Sequence, residues 1–236
     1  MPQLKKVLRL ALRKGLAKHF KSDRDQHIAD SYLAGVSSKN LHLGCGGNPI
    51  PGWLNSDYLP KNRDILHLDV TTRFPFENGS FDNVFSEHLI EHMPVADGRK
   101  MISECFRVLK DGGVLRTATP DLAFLCALYQ SDKSALQQRF LQHFIDVDLK
   151  DGNDPPLACW DTFVINKYVR AWGHSFIYDY KTLNYLLESE GFIEVATMSV
   201  GESPYAELRG LENTNRKPEG LIALETMVLE ATKPCR

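Results

Sequence analysis

The stretch Leu41-His42-Leu43-Gly44-Cys45-Gly46-Gly47-Asn48-Pro49 constrains this chain more than any other. A short apolar run stops at a turn built of glycines. Glycine permits positive φ and lets a ligand approach the main chain closely. A strand ending in such a turn is where open α/β sheets take nucleotide-like ligands. Gly-x-Gly alone recurs by chance, so the neighbouring residues decide what the turn is for.

Downstream the pattern alternates. Strands are predicted at 40–44, 53–58, 65–70, 83–86 and 114–119, with a helix over 94–109 and a turn at Asp111-Gly112-Gly113. Residues 121–170 read as largely helical around a loop near Asp151–Pro156. Residues 183–190 form a helix ended by Gly191, and 192–200 and 221–231 alternate like strands. Strands alternating with helices imply a mostly parallel sheet in an α/β domain over 40–236, with residues 1–39 as a helical extension. The insert 122–170 is expected to lie over the ligand site as a lid.

The dinucleotide fingerprint needs a third glycine and an acidic residue about 20 positions later. Here the third glycine is missing, and Asp57 arrives eleven residues after Gly46. Pro49, Pro51 and Gly52 fill that gap, which leaves no room for a long crossover helix. A diphosphate seated on a helix N-terminus is therefore poorly supported. A glycine turn with a carboxylate ending the next strand suits a cofactor with a ribose and no phosphates. Asp69, ending the third strand, places a second carboxylate in the same crevice, where it could accept a hydrogen bond from an exocyclic amine.

Phe74-Pro75-Phe76, Ser80-Phe81-Asp82-Asn83-Val84-Phe85, Arg107-Val108-Leu109-Lys110-Asp111-Gly112-Gly113 and Gly191-Phe192 follow. With these in order the chain resembles a class I S-adenosylmethionine (SAM)-dependent methyltransferase, closely over 40–121 and more loosely over 172–232. Trp172-Gly173-His174, Tyr178-Asp179 and Glu207-Leu208-Arg209-Gly210-Leu211-Glu212 resemble a subgroup linked to sugar and polysaccharide biosynthesis. The resemblance implies a Rossmann-like, seven-stranded sheet and SAM as cofactor. It assigns Gly44, Cys45 and Gly46 to the methionine part, Asp57 to the ribose hydroxyls, Asp69 to the adenine amine and Val70 to the adenine ring. Ser86 and Glu87 would face cofactor and acceptor, and Asp82 would be structural.

His88-x-x-Glu91-His92 also fits the pattern of inverted zinc proteases, in which a helix puts both histidines on one face. The flanking motifs argue against that reading. Some O-methyltransferases hold a divalent ion with E-x-x-E-H here. His88 in place of the first Glu makes a hard-cation site less favoured, which leaves His88, Glu91 and His92 as metal candidates. Without a metal, His92 would cap or pack the turn.

A sugar hydroxyl needs a base or a metal to lose its proton at neutral pH. His92 and His88 rank first as catalytic candidates, followed by His174, with Glu91, Asp121 and Glu87 as carboxylate alternatives. His174 could instead pack among Trp172, Phe176 and Tyr178. Trp160, Tyr168 and Trp172 could stack on a sugar or form lid core.

The net charge of −2 hides an asymmetry. Residues 1–21 carry seven basic side chains and no acidic ones, so the rest is acidic. An acidic body argues against broad nucleic-acid binding. The basic stretch 3–20 reads as an amphipathic helix that packs on the domain or contacts a membrane surface or partner. Five scattered cysteines without a CxxC pair suggest reduced thiols in the cytoplasm, and no apolar run reaches the roughly 18 residues of a membrane span. The expected function is O-methylation of a sugar or glycan hydroxyl. The alternatives are another small acceptor (phenol, quinone, lipid or amine), a NAD-linked sugar oxidoreductase, and a SAM-binding module without catalysis.

Overall fold

The computed structural model describes residues 20–130, 132–148 and 155–235. The basic stretch 3–20 lies almost wholly outside them, so the membrane-contact reading falls there too, as does most of the loop near Asp151–Pro156. The first described helix, α1 (Asp23–Gly35), starts at Ser22, whose side chain accepts from the Asp25 amide. Asp25 is buried and accepts from the amide of His67 at 3.2 Å, tying α1 to the edge of the sheet.

Seven strands follow: β1 (Asn40–Leu43), β2 (Leu54–Asp57), β3 (Leu66–His67), β4 (Phe81–Glu87), β5 (Leu109–Pro120), β6 (Ile193–Met198) and β7 (Thr226–Thr232). Their order in the sheet is β3-β2-β1-β4-β5-β7-β6. The first five pair in parallel, and β7 runs antiparallel between β5 and β6. The expected mostly parallel, seven-stranded sheet is therefore present. The order reverses between β1 and β4, so the crevice above this pair is where such a sheet takes a ligand. Burial follows from the pairing: β1 is buried along its whole length, as a central parallel strand with both faces covered must be.

The helices are α2 (Val95–Val108), α3 (Leu122–Leu128), α4 (Ala135–Asp148), α5 (Trp160–Arg170), α6 (Tyr180–Ser189) and the short α7 (Leu221–Glu225). Within α2, Met101, Ile102, Cys105 and Val108 are buried, at helical spacing. Helices α3 to α5 form the insert and have a core of their own, built on Phe124, Leu128, Phe140, Phe144, Val164 and Tyr168. Among the described residues no helix is long and apolar enough to cross a membrane.

Three boundaries differ from the sequence reading. Strand β3 is two residues long, because the Leu68 amide turns back to the Asp57 carbonyl and Asp69 then opens a turn. Asp111-Gly112-Gly113 is an irregularity inside β5, not the turn before it: Gly112 has φ +76°, and a Cβ on Gly113 would stand 2.9 Å from two carbonyl oxygens. Residues 221–225 are helical where a strand was expected. Gly220 starts that turn in the left-handed region, and Leu221 is buried in the insert core, where it has no sheet neighbour.

The centre of β5 carries a charged cluster. Arg116 is fully buried; its Nε donates to Glu212 at 2.7 Å and its Nη1 to Glu230, its cross-strand neighbour on β7, at 2.6 Å. Nη1 also donates to the Glu202 carbonyl, and Glu212 accepts from the Gly201 amide. Removing one partner strands buried charge. Arg116→Met should destabilise the protein by about 3–5 kcal/mol in urea unfolding. Adding Glu212→Gln and Glu230→Gln should recover part of that loss, because no charge is then left unpaired.

Candidate active site

Strand β1 delivers the glycine turn to the carboxyl edge of the sheet. Gly44 has φ +64°, and a Cβ there would sit 2.8 Å from a methyl of Leu89, just past β4. Only glycine lets the turn pass this close to the end of the neighbouring strand. Gly46 has φ +56°, and its amide donates to Asp57 Oδ2 at 2.8 Å. Asp57 Oδ1 accepts from the Leu59 amide at 2.7 Å. The carboxylate ending β2 is thus held by two main-chain donors. Burial and nearby Asp57 push the Cys45 thiol up to about 11, so it stays neutral. Turns, not a helix, connect β1 to β2, in line with the short spacing. Lys61 Nζ stands 3.2 Å from where a Cβ on Gly47 would be, a cation beside the turn that nothing in the motif pattern announced.

Asp69 lies on the same edge, past β3, where Oδ1 accepts from the Thr71 amide and hydroxyl at 3.0 and 2.7 Å. Val70 next to it is buried. Ser86 lies at the end of β4, and its hydroxyl pairs with that of Thr117 at 2.6 Å inside the sheet. Glu87 is also engaged, accepting from the Asn213 amide at 3.1 and 3.2 Å and meeting Arg216 Nη2 at 3.2 Å. It holds the β6–β7 connection against the end of β4. Asp82 is structural as expected, since it accepts from the Lys39 amide and from Lys110. Burial alone would raise its pKa, but Lys110 and Lys39 hold it below the ordinary carboxylate range.

Past β4 the chain makes a 3-10 turn, Ile90–His92, not an α-helix, so His88 and His92 do not share a helix face. His88 has φ +46°, and its Nδ1 lies 3.1 Å from Glu91 Oε1. Its Nε2 is buried without a hydrogen-bond partner. Glu91 is fully buried and accepts from the Thr119 hydroxyl at 3.1 Å. Burial alone would raise its pKa, but His88 and His92 hold it below the usual range, so it stays a carboxylate.

The backbone oxygen of Glu91 accepts from the amides of Ser175 and Phe176, which brings His174 across from the end of the insert. His174 Nδ1 lies 2.5 Å from the Tyr168 carbonyl. A carbonyl can only accept, so Nδ1 carries the proton and the neutral ring keeps its lone pair on Nε2. Burial, aided by His92 and His88, lowers the His174 pKa against the pull of Glu91. The His92 and His174 rings pack edge to face, with centroids 4.9 Å apart. Asp121 caps α3, accepting from the Ala123 amide at 2.8 Å, and burial raises its pKa. Its position serves the helix first.

A cavity of about 370 Å³ opens beside these histidines. His88, His92 and Pro120 line it from the sheet edge, His143 and Tyr168 from the insert, and Arg216 and Lys217 from the β6–β7 connection. Trp172 is half exposed on its wall, whereas Tyr168 is also part of the insert core. Trp160 does not line this cavity; its indole donates to the Pro155 carbonyl within the insert. The sequence reading missed His143, Arg216 and Lys217, which fall in no motif and reach the cavity only through tertiary folding.

Residues 54–117 match a family whose description is "Methyltransferase domain". Over these residues the chain is similar to a methyltransferase domain. Its sheet is that of the class I, SAM-dependent enzymes. An uncharacterized protein of Haemophilus influenzae is 47% identical over 45 residues, which is 19% of this chain and 18% of that protein. The match thus spans under a fifth of the relative's own length. Among solved structures, a possible exported protein from Bordetella parapertussis aligns with TM-score 0.50 and 15% identity, over 92% of this chain and 69% of that one. A SAM-dependent methyltransferase from Archaeoglobus fulgidus aligns with TM-score 0.48 and 15% identity, over 91% and 96%.

The contacts of Glu87 yield a test. Glu87→Ala removes the acceptor for the Asn213 amide and the partner of Arg216. The variant should lose about 1.5–3 kcal/mol locally. Faster hydrogen exchange at residues 213–216 and faster tryptic cleavage after Arg216, with α2 protection unchanged, would show it.

Proposed function

We propose that this protein is a SAM-dependent O-methyltransferase that methylates a hydroxyl of a sugar or glycan. One observation carries the reading: the glycine turn, Asp57 and Asp69 share the carboxyl edge at the strand-order reversal, next to a polar, histidine-lined cavity. In this reading Gly44, Cys45 and Gly46 wrap the methionine part of SAM with main chain. Asp57 binds the ribose, Asp69 the adenine amine, and Val70 packs on the ring. A sulfonium donor favours an edge with several carboxylates and no phosphate cradle.

The cavity supports a polyol acceptor through its composition. Tyr168 and Trp172 offer aromatic surface, and the imidazoles, Arg216, Lys217 and Glu225 offer polar contacts around it. In the reaction the acceptor oxygen attacks the methyl carbon in line. The C–O bond forms as the C–S bond breaks, and S-adenosylhomocysteine leaves with the electron pair. The hydroxyl proton passes to an imidazole of the cluster; His174, with its lone pair on Nε2, is oriented for this. Asp121 and Glu87, occupied as helix cap and loop anchor, support the site's shape. The free cysteines fit a reducing compartment such as the cytoplasm.

The test is a thermal-shift titration with S-adenosylhomocysteine, followed by methyl transfer from labelled SAM to mono-, oligo- and nucleotide-sugars. Ligand at 100 times Kd should add about 2.7 kcal/mol of stability. Asp57→Ala should weaken binding by roughly 10- to 100-fold, the value of one charge-assisted contact. No shift at saturating ligand, or binding of NADH in its place, would overturn the reading. Transfer to phenols, lipids or amines with none to sugars would overturn the acceptor assignment alone.

A further inference from the structure

We propose that Glu91, His92 and His174 bind a first-row divalent transition-metal ion at the floor of the acceptor cavity. Each offers a ligand atom, and these atoms lie within 4.8 Å of one another. Donors about 2.1 Å from one ion stand roughly 3.4 Å apart in a tetrahedron, a gap that rotation of the exposed His92 ring can close. The set differs from the one the linear motif suggests: His174, from 82 positions further along the chain, takes the place of His88.

Two further observations point to a bound cation. Glu91 is fully buried, yet its Oε1 has no hydrogen-bond donor in line, only the off-line approach of His88 Nδ1. A buried carboxylate oxygen whose nearest donor is misaligned is under-satisfied, and a cation is a partner that would complete it. His174 is oriented as a ligand: its Nδ1 donates to the Tyr168 carbonyl, which leaves Nε2 as a donor atom for a metal. Thr119 orients Glu91 through its other oxygen in the same way.

The donor set selects the ion. Two imidazoles and one carboxylate suit Zn²⁺, Co²⁺ or Fe²⁺, whereas Mg²⁺ and Ca²⁺ prefer oxygen ligands. Three protein ligands leave coordination positions open, and His92 and His174 line the cavity where the acceptor would enter. The catalytic use of the ion rests on the methyl-transfer reading, although its binding does not. A cation there takes over the part given to the His174 lone pair: it lowers the pKa of an acceptor hydroxyl, whose proton then leaves to water in the cavity as the C–O bond forms.

The experiment uses the full chain, stripped with EDTA and titrated with Co²⁺. The expected result is visible absorption bands that saturate at one equivalent, with Zn²⁺ displacing Co²⁺ and millimolar Mg²⁺ failing to. His92→Ala, on an exposed side chain, and Glu91→Gln should each weaken Co²⁺ binding by about 100-fold. Absence of the bands, or bands that survive both substitutions, would overturn the site. A near-ultraviolet thiolate band in their place would also overturn it, since that would locate the ion on the exposed Cys126, Cys159 or Cys235. The S-adenosylhomocysteine thermal shift is run on the same samples. It is expected to persist in the stripped protein and in His92→Ala, and its loss in every sample would count against the methyltransferase reading rather than the metal.

Discussion

A fully buried carboxylate organises the histidine-lined end of this molecule. Glu91 has no exposed surface, and its burial must be offset by whatever it can gather. Its side chain draws in His88 from the end of β4 and Thr119 from the end of β5. Its main-chain oxygen receives the amides of Ser175 and Phe176, and so fixes the segment that carries His174. One residue therefore joins two strand ends to the far end of the insert. If Glu91 were exposed, the segment carrying His174 would lose its tie to the turn that carries His88 and His92.

The other wall of the cavity depends on a second buried charge cluster. Arg116 sits in β5, inside the sheet, yet its partners Glu212 and Glu230 lie 96 and 114 positions later. Such an ion cluster adds little net stability compared with an apolar core, but once formed it is costly to break. It pins the β6–β7 connection at Glu212. The next residue then places its amide on Glu87, and Arg216 and Lys217 reach the cavity. The segment 207–212, which stood out in the sequence by its subgroup resemblance, thus contributes through anchorage.

The glycine-turn edge was legible in the sequence and the histidine-lined cavity only partly. Gly44, Gly46, Asp57 and Asp69 sit within 26 residues, and each follows a strand whose apolar pattern is short and local. Local spacing therefore determined where their carboxylates and glycines would emerge. Ser86 and Glu87 show the limit of that logic. Their place at the end of β4 was clear from the pattern, but their partners Thr117, Asn213 and Arg216 come from strand pairing and a distant loop. The histidine motif misled in a similar way. A helix would have paired His88 with His92, whereas a single 3-10 turn separates their roles and the chain returns with His174. Residues 221–225 failed for a third reason: alternation of apolar residues cannot distinguish a strand from one helical turn packed on a second core.

This contrast has a physical origin. On the donor side the ligand-facing groups are mainly backbone amides and strand-end carboxylates, set by the geometry of a parallel sheet with one reversal of order. Any sequence that folds into that sheet presents them at nearly the same places. On the acceptor side no such geometry exists. The cavity is bounded by an insert with its own aromatic core and by a loop held through buried ions, so its shape depends on long-range contacts that substitutions could repack independently of the sheet. A fold built in this way can retain the glycine-turn edge while the cavity beside it changes. The shape of the cavity is therefore encoded in Glu91, Arg116 and the residues they position, and not in the glycine turn.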